Sequence, residues 1–174
     1  KIDSLSFFQT NTRGAEKLYS EAKKYIDSAK NKIIYDLYCG AGTISQSIAA
    51  DAAKIYGIEI DQDAADRAAE NAEINNVNNT EYIAGDVLEE INNINQQADL
   101  IIIDPPRPGI NPKALEKIAA AAADEILYIS CNPKSLARDL KELEIHNYKL
   151  EKFKAVDMFP HTKHLEVITL LKKL

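Results

Sequence analysis

The chain has 174 residues, enough for one well-buried core and too few for two ordinary domains. Hydrophobic residues make up 45% and charged residues 28%, which excludes wholesale disorder. No apolar run approaches the ~20 residues of a membrane span. The net charge of −6 is uneven: residues 1–129 hold 12 Lys/Arg against 21 Asp/Glu, and residues 130–174 hold 9 against 6. An acidic body with a weakly basic last quarter leaves one face open to a polyanion, although charge alone does not decide the matter. The start, Lys1-Ile2-Asp3-Ser4, does not have the form of a secretory signal, and its lack of Met suggests a piece of a longer protein. The two cysteines, Cys39 and Cys131, cannot make a disulfide scaffold and suit a reducing, cytoplasmic setting.

Taken in chain order, the pattern alternates helix and strand. Thr12 to about Lys30 has helical spacing of Ala15, Leu18, Tyr19, Ala22 and Ile26. Ile33–Tyr38 reads as a strand, Thr43–Ala53 as a helix and Lys54–Ile60 as a strand. Gln62–Asn75 reads as an Ala-rich helix capped by Asp61, Thr80–Ala84 as a strand and Val87–Asn95 as a weak helix. The four aliphatics Leu100–Ile103 form a fully buried strand running into Asp104-Pro105-Pro106. Pro112–Ala123 is a helix with Pro in its first turn, Ile126–Ser130 a buried strand, and Pro133–Leu143 a helix capped by Asn132. Tyr148–Val156 and Leu165–Leu171 lie too close in sequence to hold a crossover helix, so they should pair antiparallel. The expected fold is α/β: a doubly wound, mostly parallel Rossmann-like sheet with helices on both faces and an antiparallel C-terminal strand. All 174 residues are expected to form one domain.

Ligands of such sheets bind beyond the carboxyl ends of the strands, so those ends carry the chemistry. The first strand ends in Asp36-Leu37-Tyr38-Cys39-Gly40-Ala41-Gly42-Thr43, whose glycines permit a tight turn and close approach of a ligand. Glu59 at the end of the second strand could accept ribose hydroxyls. Asp86 at the end of the third could accept an adenine amine. Singly, each is as readily a turn or a solvated carboxylate; together they favour a nucleoside cofactor. NAD and S-adenosylmethionine both fit, and Ser45 in place of a third glycine leans towards the latter.

The fourth strand leads into Asp104-Pro105-Pro106-Arg107-Pro108-Gly109, a stiff wall that could hold a flat base, or simply a rigid turn. Cys131 precedes a helix N-terminus with Lys134 and Arg138 nearby, an arrangement that favours the thiolate; the alternative is a small packed cysteine. Cys39 reads as packing. Glu166 opens the last strand and can act as a base, or stand as an exposed strand residue. A metal site from Cys131, His161, His164 and Glu166 is disfavoured, because a His-x-x-His turn lacks the i,i+4 helical face of zinc sites. No metal is expected.

Five segments occur in order from end to end of the chain: Phe7-x-Gln9-x-Asn11; Asp36-Leu37-Tyr38-Cys39-Gly40-x-Gly42; Asp104-Pro105-Pro106-Arg107; Ser130-Cys131-Asn132-Pro133 with Leu136-Ala137-Arg138-Asp139; and Phe159-Pro160-His161-Thr162-x-His164-Leu165-Glu166. The set closely resembles the RNA uracil-5-methyltransferases, and its last segment resembles the 23S ribosomal RNA branch more than the transfer RNA branch. The resemblance implies S-adenosylmethionine as cofactor, lined by Gln9, Tyr38, Gly40, Gly42, Thr43, Glu59, Asp86 and Asp104. It implies Cys131 as nucleophile, Glu166 as general base, and Pro105 and Arg107 on the RNA substrate. Family members usually carry an N-terminal OB-like RNA-binding domain and a central domain, and some an iron–sulfur cluster held by four cysteines; here only the catalytic domain is expected, acting as a monomer. An adenine or amide amino-methyltransferase, which also uses an Asp-Pro-Pro loop but no cysteine, is the rival enzyme reading. A module that binds cofactor or RNA without turnover is the rival outside enzymes, and an NAD dehydrogenase is a distant third.

Overall fold

In the computed structural model, residues 11–26, 29–162 and 164–174 are described. Six α-helices and seven strands alternate among them: α1 Thr12–Tyr25, β1 Ile33–Leu37, α2 Thr43–Ile48, β2 Lys54–Glu59, α3 Gln62–Ile74, β3 Thr80–Ala84, α4 Val87–Glu90, β4 Leu100–Ile103, α5 Pro112–Ala120, β5 Glu125–Ser130, α6 Pro133–Ile145, β6 Tyr148–Val156 and β7 Glu166–Lys173. The sheet order is β3-β2-β1-β4-β5-β7-β6. The first five strands pair in parallel, β7 runs antiparallel to β5, and β6 pairs antiparallel with β7. This is the expected doubly wound sheet with an antiparallel C-terminal strand. Among the described residues, no helix is long and apolar enough to cross a membrane.

The strand order follows from burial. Leu100, Ile101, Ile102 and Ile103 are all inaccessible, so β4 has to lie at the sheet's centre with both faces covered. One face packs beneath α1 and α2 through Leu18, Ala22, Ile44 and Ile48. The other packs beneath α4, α5 and α6 through Val87, Leu115, Leu136 and Leu143. Each such buried aliphatic side chain contributes about 2 kcal/mol relative to exposure. The edge strand β6 is exposed along most of its length. Lys149, Lys152 and Lys154, with an irregularity between Leu150 and Lys152, hinder pairing with another chain.

Several ends fall inside the expected limits, each for a local reason. Helix α1 stops at Tyr25 because Ile26 turns extended, at φ −87° and ψ 104°. Helix α2 stops at Ile48 rather than Ala53, and Asn79 donates from its side chain to the carbonyls of Ala49 and Ala52, both at 2.8 Å. The weak helix 87–95 breaks after one turn into a 3-10 turn at Ile91–Asn93. Helix α5 ends at Ala120 because Ala122 adopts φ 55°. The expected caps Asp61 and Asn132 accept from backbone N–H groups of their own first turns, and Asn111 does the same for α5.

Candidate active site

The carboxyl ends of β1, β2, β4 and β5 open on the same edge of the sheet, together with the start of the antiparallel β7. After β1 the chain turns through left-handed backbone at Tyr38 (φ 62°), Gly40 (φ 53°) and Gly42 (φ 74°). At Gly42 a side chain would collide with the Tyr82 hydroxyl, 2.6 Å from an added Cβ. At Gly40 an added Cβ meets nothing within 4 Å, so the space above that backbone is open. Tyr38 tolerates the strained conformation without being glycine, and burial pushes its hydroxyl up to about 12, with the nearby Asp86 and Asp139 acting in the same direction.

Glu59 is more than a loose acceptor. One carboxylate oxygen accepts the Gly40 N–H at 2.9 Å and the other the Asp61 N–H at 3.0 Å. It therefore braces the glycine turn, and each oxygen keeps a further lone pair for a ligand hydroxyl. Asp86 stays exposed and caps α4 through the Leu88 N–H at 2.8 Å. Thr43 is exposed at the first position of α2.

Beneath the glycine turn lies Asp36, which sequence reading quoted but gave no role. It is fully buried; one carboxylate oxygen accepts from the Ser45 N–H and hydroxyl, while the other has no hydrogen-bond partner. Burial lifts its carboxyl to about 6, against the Ser45 hydrogen bonds, and Glu59 adds to the rise. Tyr19 of α1 was likewise missed. Its hydroxyl is pushed up to about 12 by burial and then by Asp104, Asp36 and Glu166, which places it among those carboxylates. Its helical spacing signalled only an apolar face.

On the other side of the site stand Asp104, Arg107, Cys131 and Glu166. Asp104 is lifted to about 7, first by burial and then by Glu166 and Asp36. Pro105 is buried and Arg107 exposed. Glu166 is 6% exposed, not an exposed strand residue, and burial raises its carboxyl while Arg107 opposes the rise. Strand β5 pairs with β7 so that Ser130 faces Val167. Cys131 directly follows the last residue of β5 and Glu166 is the first residue of β7, so the two stand at the same end of the paired strands.

The Cys131 thiol departs from expectation. Its pKa is raised rather than lowered: burial acts first, then the charges of Glu166 and Asp104. The opposing cation is Arg107, with the residue's own backbone N–H. Arg138 is turned instead towards Asp139 and loop carbonyls, so the expected help of helix-borne cations does not arise. Cys39 is deeper in character: burial, then Asp36 and Glu59, push its thiol far above the ordinary range. His161 is exposed with φ 68°, and the backbone N–H of His164 donates to the Thr162 hydroxyl at 3.2 Å. Asn11 caps α1 through the Gly14 N–H and donates to the Met158 carbonyl at 2.7 Å, tying the helix to the segment before His161. Gln9 lies outside the described residues.

A sequence profile described as tRNA (uracil-5-)-methyltransferase matches residues 1–174. The chain belongs to that family. Among curated relatives, a Clostridium tetani protein described as an uncharacterized RNA methyltransferase is 51% identical over 173 residues, covering 99% of this chain and 38% of the relative. A Clostridium acetobutylicum protein of the same description is 49% identical, again covering 99% and 38%. The chain thus spans well under half the length of these relatives. The crystal structure of Pyrococcus abyssi tRNA (uracil-54, C5)-methyltransferase in complex with S-adenosyl-L-homocysteine superposes with a TM-score of 0.84 at 34% identity. That match covers 98% of this chain and 41% of that one. The N-methyltransferase NodS of Bradyrhizobium japonicum superposes at 0.78 with 11% identity over 94% of this chain and 98% of its own, a likeness of fold alone.

Proposed function

We propose that this chain is the catalytic domain of an S-adenosylmethionine-dependent RNA (uracil-5-)-methyltransferase, working as a monomer in the cytoplasm and methylating C5 of a uridine through a covalent cysteine adduct. The single observation that carries the reading is the β5–β7 register. Cys131 and Glu166, which we take as nucleophile and base, each adjoin its last pair, Ser130 and Val167, and the charges of Asp104 and Arg107 act on the thiol. The cofactor assignment rests on the fit of the residues present. The open space above Gly40 and the braced Glu59, with the buried Asp36 carboxyl beneath the turn, offer a backbone-lined, acidic setting suited to a cationic nucleoside. It also draws support from the S-adenosyl-L-homocysteine in complex with the Pyrococcus abyssi neighbour.

S-adenosylmethionine, when bound, supplies an electrophilic methyl group. Everything else falls to the chain. C5 of uracil is a poor nucleophile; once the Cys131 sulfur adds to C6, the ring becomes an enolate whose C5 can accept the methyl. Glu166 then takes the C5 proton, the C6–S bond breaks and the C5=C6 double bond returns, restoring the thiolate. Cys131 and Glu166 must reach adjacent atoms of one base, so the uridine has to leave its stack. Pro105 and Arg107 border the space it would enter. Burial and the charges of Glu166 and Asp104 raise the Cys131 thiol, which favours its protonated form at rest.

Within that reading the substrate is 23S ribosomal RNA, supported by the Pro160-His161-Thr162-x-His164-Leu165-Glu166 segment; transfer RNA is favoured instead by the substrate of the 34% identical neighbour. Radiolabelled S-adenosylmethionine with unmodified ribosomal and transfer RNA transcripts separates these. Label on C5 of uridine in ribosomal RNA, absent with Cys131→Ala, supports the proposal. Label on transfer RNA alone reassigns the substrate. Label that survives Cys131→Ala overturns the mechanism in favour of an amino-methyltransferase, and cofactor binding without transfer to either RNA would reduce the chain to a binding module.

A further inference from the structure

The loop after β4 is pinned to the first turns of α6 by an unusually complete set of bonds. The Arg107 carbonyl accepts from the Asn132 side chain at 3.0 Å and from the Ser135 hydroxyl at 3.2 Å. One guanidinium nitrogen of Arg138 donates to the Pro108 carbonyl at 2.9 Å and the Ile110 carbonyl at 3.4 Å. The Ile110 N–H donates to Asp139 at 3.0 Å, and the Gly109 N–H closes a turn onto the Pro106 carbonyl at 2.9 Å. Asp139 is the buried hub. One of its oxygens receives Arg138 at 2.7 and 2.9 Å, and the other receives Ile110 and the Tyr128 hydroxyl, the latter at 2.8 Å. Gly109 sits in left-handed backbone at φ 83°, where an added Cβ would lie 2.6 Å from both Arg138 and Asp139.

The purpose of such anchorage is not stability alone, since a rigid proline turn needs no external clamp. What the clamped segment carries is Arg107, the cation whose field opposes the carboxylates around Cys131 and Glu166. We propose that Arg138, braced by Asp139, is a positioning residue that fixes the Pro108–Ile110 backbone and thereby holds the Arg107 guanidinium beside Cys131 and Glu166. Among the described residues, the groups that act on the Cys131 thiol are Glu166 from β7, Asp104 at the end of β4, Arg107 from the clamped loop, and the residue's own backbone N–H. Among the described residues two of these three side chains are anionic, so the placement of Arg107 bears on how readily the sulfur ionises. The inference rests on the proposed function only in taking Cys131 as the nucleophile, and its test reads thiol chemistry rather than methyl transfer.

Alkylation of Cys131 by iodoacetamide across pH, followed by peptide mass mapping to separate it from Cys39, measures that ionisation directly. At about pH 8, Arg107→Ala is expected to slow alkylation roughly three- to tenfold, the factor that half to one pKa unit imposes on the thiolate fraction. Arg138→Ala should slow it in the same direction by roughly threefold, and Arg138→Lys should recover part of the loss. The decisive result is the double variant. If Arg138 acts through Arg107, Arg107→Ala/Arg138→Ala alkylates no more slowly than Arg107→Ala alone. Full additivity, a profile for Arg138→Ala that coincides with the parent chain, or faster alkylation from a loosened site would each overturn the proposal. Should Arg138→Ala fail to fold, Ser135→Ala removes another anchor on the same loop. It carries the same expectation, a slowing absent in the Arg107→Ala background, and no slowing in either background would overturn the proposal. A chain without methyl transfer can still pass this test, and an active enzyme can fail it.

Discussion

At Asp36, packing and ligand binding pull in opposite directions. A fully buried carboxylate with a partnerless oxygen is a cost to the fold, and that cost is the reason its pKa rises. Asp36→Asn keeps an acceptor for Ser45 and removes the buried charge. We expect it to melt higher than the parent chain at pH 8, by about 1 kcal/mol or roughly 2–4 °C, while binding S-adenosylhomocysteine more weakly. Calorimetry on both variants checks the pair of effects, and a lower melting temperature would show that the orphan oxygen is satisfied in solution. On the proposed mechanism, Glu166→Gln preserves shape but cannot take the C5 proton. A 5-fluorouridine transcript offers no C5 proton to remove either. Both should leave RNA covalently attached to Cys131, visible as a shifted band on a denaturing gel, and Cys131→Ala should abolish the band. Of these residues, Cys131, Glu166 and Asp104 are singled out by the sequence because strand ends and motif spacing expose them, and the structure brings them to one end of the sheet. Asp36 was visible as a letter but not as a role, since only packing reveals that one of its oxygens has no partner.

At the scale of elements, the glycine turn and the α6 N-terminus decide how the site is built. Gly40 and Gly42 share positive φ but not surroundings, which separates two kinds of failure. Gly42→Ala should destabilise the chain by about 1–3 kcal/mol, through backbone strain plus collision with Tyr82. Gly40→Ala should cost only about 1 kcal/mol of strain, because space is open there, yet weaken cofactor binding more than its stability loss suggests. Denaturant titration with and without S-adenosylhomocysteine distinguishes them. Element types were readable along the whole chain, and β3, β4 and β6 fall where the pattern put them. Helix ends were not. Helix α2 stops early where the Asn79 side chain, distant in sequence, meets the backbone carbonyls that follow, and no local pattern announces such a partner.

For the molecule as a whole, the site gathers acids at the edge where the strands end. Asp36 and Asp104 both have folded-state pKa values above their ordinary one, at about 6 and about 7. Between roughly pH 4 and 7 the folded chain binds protons that the unfolded chain has released, so these two groups make stability fall as pH rises through that window. Thermal melts from pH 4 to 8 should show that slope, and Asp36→Asn should flatten its lower half. A slope of opposite sign in that window would overturn the reading of Asp36 and Asp104 as carboxyls raised by burial.

The sequence by itself determined the alternation of strand and helix, the parallel core with its antiparallel close, and the family, because apolar period and motif order are local properties of the chain. It also pointed to Cys131 but assigned its activation to Lys134 and Arg138, the neighbours along the helix. Only the tertiary structure decided otherwise. Folding turns Arg138 onto the neighbouring loop and brings Arg107, Asp104 and Glu166 from other elements around the thiol. The charge on a buried group is set by what surrounds it in space, and those neighbours lie 24 to 35 positions away in the chain.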